Sequence, residues 1–136
     1  MTNRPIEVFV EKASDGTYWG TSQNYEGIVS TFGDSLEELM SNFTEAFADN
    51  LEVAKDLEEP YANDYDNVEF TYKMNLSSFF ELVPEIKISS IAKKANINES
   101  LVRKYKSGIA NASEEQAKKI QDAVHELGRE LLAVQL

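Results

Sequence analysis

Ile6, Val8 and Val10 alternate with Glu7, Phe9 and Glu11, the period-two pattern of a strand with one face turned inward. Ser14-Asp15-Gly16 interrupts it with a strong turn pair, and Tyr18–Ser22 reads as the second strand of a hairpin. A third strand is expected over 28–32, after a loop at 23–27, and Gly33 ends it. Ser35 followed by Glu38 forms a capping box, so a helix should begin near Leu36. Leu36, Leu39, Met40, Phe43, Phe47 and Leu51 recur by threes and fours along that helix, giving one stripe that faces the sheet. After an acidic, Pro-containing loop, Val68, Phe70, Tyr72 and Met74 alternate with Glu69, Thr71 and Lys73, and a fourth strand returns to the sheet. The first half is therefore a β-β-β-α-β module.

The period changes after Met74. Asn75 is positioned to cap a short helix carrying Leu76, Phe79, Phe80, Leu82 and Val83, which Pro84 closes; this element is expected at the junction of two modules. Over 88–107, Ile91, Ala92, Ala95, Ile97, Val102 and Tyr105 are spaced to close two short helices onto a shared core around a tight turn, a helix-turn-helix pattern. Asn96 stands where the chain leaves the first helix with positive φ, which a short polar side chain tolerates, and Asn98 can cap the second. That second helix shows Glu99, Ser100, Arg103, Lys104 and Lys106 to solvent while burying Leu101 or Val102 and Tyr105. Gly108 caps it, and Ser113 with Gln116 opens a last helix. Its seam of Ala117, Ile120, Val124, Leu127, Leu131 and Val134 is longer than two short helices need. One part should close the helical core, and the remainder either packs on the sheet module or pairs subunits.

Charge divides the chain along the same line. Residues 1–84 hold four basic groups against seventeen acidic, −13, whereas residues 85–136 hold nine against seven, +2. Within 87–107, six basic residues (Lys87, Lys93, Lys94, Arg103, Lys104, Lys106) face Glu99 alone, a local balance of +5 in a chain of −11. The asymmetry suggests different partners for the two halves: DNA for the basic helices, and either plain solvation or a basic protein for the acidic face of Glu37, Glu38, Glu45, Asp49 and Glu52. Base contacts are expected from Asn98, Glu99, Ser100, Arg103 and Lys104, and phosphate contacts from Lys93, Lys94 and Lys106. With 136 residues and 42% hydrophobic content the chain can bury a core. It has no cysteine and no apolar run of membrane-spanning length, so a soluble cytoplasmic protein that makes no membrane contact is expected.

Little is available for catalysis. His125 is the only histidine, the six glycines form no phosphate loop, and the carboxylates suggest no converging metal set. No catalytic residue, metal or cofactor is expected.

The order and spacing of several short pieces resemble the HicB-type antitoxins of bacterial toxin-antitoxin pairs over nearly the whole length. These pieces are Asp15-Gly16-Thr17-Tyr18-Trp19, Gly27, the strand end at 30–33, Asp34-Ser35-Leu36-Glu37-Glu38-Leu39, Glu45-Ala46, and 90–92. They continue with Asn96-Ile97-Asn98, Ser100-Leu101-Val102-Arg103, Tyr105, Gly108 and Ser113. The chain departs from that family at Asn24-Tyr25-Glu26, where the family tends to place a Pro before the Gly. The resemblance implies an α+β protein whose N-terminal module is a partial, inactive ribonuclease-H-like fold that binds a small basic ribonuclease toxin of HicA type. It also implies an all-α, repressor-type helix-turn-helix module that binds the operator of its own operon. Accordingly, 1–74 is expected to be the toxin-binding domain, 75–86 a junction helix and linker, and 87–136 the DNA-binding and oligomerising domain. A homodimer or higher homo-oligomer is anticipated. Tyr18, Trp19, Tyr25 and Glu26, on the hairpin and following loop, are the candidate toxin contacts. Two rival readings share parts of this pattern: a stand-alone transcription regulator with an acidic oligomerisation or ligand module, and an active nuclease of ribonuclease-H type.

Overall fold

The computed structural model describes residues 5–136 and is α+β, with one four-stranded mixed sheet and five α-helices among those residues. Two compact units divide the chain, the first running to Met74 and the second beginning at Asn75.

In the first unit β1 (Ile6–Lys12), β2 (Tyr18–Ser22) and β3 (Ser30–Gly33) form an antiparallel meander. Gly16, at φ +89°, makes the β1–β2 turn, and the Asp15 carboxylate accepts from the Thr17 amide at 3.0 Å. The 21-residue helix α1 (Leu36–Asp56) then crosses over so that β4 (Phe70–Lys73) pairs parallel to β1, giving the order β3-β2-β1-β4. The Ser35 hydroxyl accepts from the Glu38 amide at 3.0 Å, while the Glu38 carboxylate accepts from the Asp34 amide at 3.3 Å. The box therefore closes one residue upstream of its usual partner.

Ile6, Val8 and Val10 from β1 and Leu39 and Phe43 from α1 are fully buried. At roughly 1.5–3 kcal/mol per side chain, this burial outweighs the roughly 1 kcal/mol of a cap, so packing holds α1 against the sheet and the cap fixes where it starts. Phe43 meets Phe70 and Tyr72 edge-on, which attaches the edge strand β4 to the helix.

Two expectations are corrected. The third strand begins at Ser30: the Val29 carbonyl still accepts from the Ser22 amide at 2.9 Å, but the Val29 amide donates to the Ser22 hydroxyl at 3.0 Å in place of a backbone carbonyl, and Ile28 lies in solvent. The acidic connection is not an open loop: Pro60–Asp64 forms a 3-10 turn that buries Ala62 and, just after it, Tyr65.

The second unit contains α2 (Leu76–Leu82), α3 (Ile88–Ala95), α4 (Glu99–Ser107) and α5 (Glu114–Ala133). The Asn75 side chain caps α2 by accepting from Ser78 at 2.8 Å, and Ser113 caps α5 by accepting from Gln116 at 3.2 Å. Phe80 of α2 belongs to the same core as Ile91, Val102, Tyr105 and Ile120. The sequence places α2 in a connecting segment, whereas this shared core makes it part of the helical unit.

Candidate functional site

The turn between α3 and α4 is built by two asparagines. Asn96 sits at φ 57°, ψ 47°, the left-handed conformation, and its amide donates to Lys93 O while the Ile97 amide donates to Ala92 O at 2.9 Å. This is a Schellman closure, and Ile97 packs onto the helical core as its apolar contact. Asn98 then caps α4, its Oδ1 accepting from the Ser100 amide at 2.9 Å and the Ser100 hydroxyl at 2.6 Å. Val102 and Tyr105 are buried, Leu101 is half-buried against the same core, and the remaining face of α4 is polar.

Asn98, Glu99, Ser100, Arg103, Lys104 and Lys106 are all exposed there, and Lys93 and Lys94 are exposed on α3. Arg103 is tethered one turn back: its Nε and one terminal nitrogen both donate to Glu99 Oε2, at 3.0 and 2.9 Å. An exposed i,i+4 pair of this kind contributes roughly 0.3–0.5 kcal/mol, so it orients the guanidinium without locking it. Ser100 is engaged with the cap, so its hydroxyl proton is already directed at Asn98.

Lys94 is placed differently from its neighbours. Its ammonium donates to Glu130 Oε1 at 2.6 Å and lies 3.6 Å from Glu126, so it ties α3 to α5; the Glu130 hydrogen bond raises its pKa. Beside it, Ser90, Lys93, Lys94 and Leu127 line an open depression of about 520 Å³. Farther along α5 the apolar seam divides. Ile120 and Ala123 are buried and Val124 and Leu127 half-buried against the helical core, whereas Leu131, Leu132 and Val134 are exposed.

The four residues expected on the toxin-facing side do not converge. Tyr18 is only 8% exposed and points into the core, so it offers no surface; this corrects that assignment. Trp19, the next residue of the strand, points the opposite way and is 42% exposed. Tyr25 packs among Phe47, Tyr61 and Tyr65 on the helix side of the sheet, with its hydroxyl donating to Asn50 Oδ1 at 2.8 Å. Burial and the neighbouring tyrosines push its pKa up to about 12. The Glu26 carboxylate accepts from the Tyr65 hydroxyl.

Sequence reading missed the aromatic partner of Trp19. Phe32 lies directly across from it in the β2–β3 register, and the rings stack with centroids 4.9 Å apart at 29°. The signal was available: with Gly20 inward beneath Leu39, alternation sends Trp19 outward, and its cross-strand partner must follow.

Among the described residues no group of three or more His, Cys, Asp or Glu is arranged to hold a metal ion, and no helix is long and apolar enough to cross a membrane. Comparison with protein-family models, with curated proteins and with solved structures finds no match to this chain.

Proposed function

We propose that this chain is a HicB-type antitoxin that reads operator DNA through α4 and neutralises a small basic ribonuclease of HicA type by occlusion, without catalysis of its own. The observation that carries the reading is the α3–α4 pair: a left-handed Asn96 turn and an Asn98 cap join two short helices that leave Arg103, Lys104 and Lys106 exposed on α4 and Lys93 exposed on α3. That geometry suits a helix entering a major groove, with Arg103 at a base edge and the lysines at phosphates. Lys94 contributes less than its position in the sequence suggests, because Glu126 and Glu130 already engage it.

The first unit supports the other half of the reading. Its three-strand meander, crossover helix and parallel fourth strand are compatible with a ribonuclease-H-like module, and its acidic balance suits a basic partner. A second copy covering the exposed Leu131, Leu132 and Val134 would make the protein a dimer, with recognition helices about 34 Å apart on a palindromic site.

Affinity capture of the tagged chain from its native cells at low and moderate salt tests the whole reading. Recovery of a small, strongly basic ribonuclease in near-equal amount is expected, and recovery of the chain with DNA alone would favour a stand-alone regulator. Arg103→Ala tests the DNA half. It should weaken operator binding by about 1–3 kcal/mol and relax specificity at one base pair, and an unchanged operator titration would remove Arg103 from the base-reading set.

A further inference from the structure

The sheet of the first unit has two unlike faces. Ile6, Val8, Val10 and Tyr18 point toward α1 and are buried, while the other face carries Phe9, Trp19, Thr21 and Phe32. Trp19 and Phe32, 42% and 49% exposed, are stacked on it, and the Trp19 indole N–H donates to the Thr17 hydroxyl at 3.1 Å. Two large rings are thus held rigid in solvent. Such a patch is unusual for a face with no partner, and a preordered ring pair loses little conformational entropy on binding.

The surroundings specify the partner's chemistry. Glu11 is the register partner of Trp19 on β1, Asp15 lies in the turn that holds Thr17, and Asp34 follows the end of β3; all three are exposed. Lys73, the basic residue of β4 on this face, is paired with Glu7. An aromatic stack with an acidic rim attracts a planar cation, which an indole face binds better than any other side chain does. The −13 balance of residues 1–84 repels a phosphate backbone, so a protein is favoured over nucleic acid.

We infer that the Trp19–Phe32 stack with its rim of Glu11, Asp15 and Asp34 is the docking surface for a basic protein, which seats an arginine side chain on the indole. This names the surface used by the basic partner proposed above and rests on that reading for the partner's biological role.

Trp19 is the sole tryptophan, so its emission reports on this face alone. The full chain is titrated with a nona-arginine peptide, following Trp19 fluorescence and the anisotropy of a labelled peptide. Binding should change the Trp19 emission, and a nona-lysine peptide should bind more weakly. Trp19→Ser with Phe32→Ser should lower affinity about tenfold by anisotropy, as expected for losing a cation–π seat. The charge variant Glu11→Gln with Asp34→Asn leaves both rings in place and should weaken binding several-fold with a smaller salt dependence, independently of any folding defect in the first variant. Absence of peptide binding to the wild type, equal affinity for the double-serine variant when circular dichroism shows it folded, or an unchanged affinity in the charge variant would overturn the inference. So would quenching of Trp19 by a dodeca-uridylate in place of the peptide. If a basic ribonuclease is captured equally well by the double-serine variant, this surface falls and the antitoxin reading stands. If the peptide binds as expected and no basic ribonuclease is captured by the wild type, the antitoxin reading falls and the surface stands.

Discussion

Gly33→Ala is the substitution with the largest consequence that the structure lets one work out. Gly33 ends β3 opposite Tyr18, and a Cβ built on it would lie 2.6 Å from the Leu39 amide nitrogen and 3.0 Å from both Glu38 C and Leu39 Cα. These are backbone atoms in the first turn of α1, so no side-chain rotation relieves the overlap. Relief requires α1 to move off the sheet by a sizeable fraction of an ångström, which disengages the fully buried Leu39 and Phe43. The cost should reach the top of the overpacking range, about 3 kcal/mol. For a unit of this size that corresponds to a fall of roughly 10–20 °C in the melting temperature. Thermal unfolding followed by Trp19 emission reads it, since Trp19 neighbours the strand pair concerned. Gly16→Ala is the control: its Cβ meets nothing within 4 Å, so only the φ of +89° penalises it, at about 1 kcal/mol. A Gly33→Ala melt within about 3 °C of wild type, or no worse than Gly16→Ala, would refute the claim that backbone contact sets the size of this residue.

Three further outcomes follow from the same geometry. Glu58 occupies φ 57° in the Schellman closure of α1, with Glu59 N donating to Ala54 O at 2.9 Å, so Glu58→Gly should stabilise the first unit by about 1 kcal/mol in the same melt. Gly128 lies inside α5, where an added Cβ would meet nothing within 4 Å, and Gly128→Ala should likewise add about 1 kcal/mol, read as a higher midpoint of the helical circular-dichroism signal. Tyr25, raised to about 12 by burial, favours its neutral form in the folded state. Its stabilising contribution is therefore complete below the ordinary tyrosine value near 10 and is lost as pH rises from about 10 toward 12. Burial raises Tyr72 as well, so a phenolate absorbance titration should show late-titrating tyrosines of which Tyr25→Phe removes one; a titration curve that Tyr25→Phe leaves unchanged above about pH 10 would contradict the half-buried Tyr25–Asn50 arrangement.

Local signals were legible in the sequence wherever neighbouring residues settle the outcome. The caps at Ser35, Asn75, Asn98 and Ser113 and the left-handed Asn96 and Gly108 depend on residues one to four positions apart, and all occur where the sequence predicts them. The strand alternation of β1 and the helical stripe of α1 are equally local, because both periods are fixed by backbone geometry.

Distant neighbours set the rest. That β4 runs parallel beside β1, and that α2 shares a core with α3–α5, are consequences of which apolar surfaces meet. Tyr18 and Trp19 are adjacent aromatics of similar propensity, yet the pleat sends one under α1 and the other onto the open face with Phe32. Lys94 and Lys93 read alike along the chain, but only the approach of α5 brings Glu126 and Glu130 to Lys94. The order of residues was enough to say where the chain turns and which positions are charged. Which of those charges and rings remain available to a partner came from long-range packing, because burial is a property of the faces that meet and not of the residue alone.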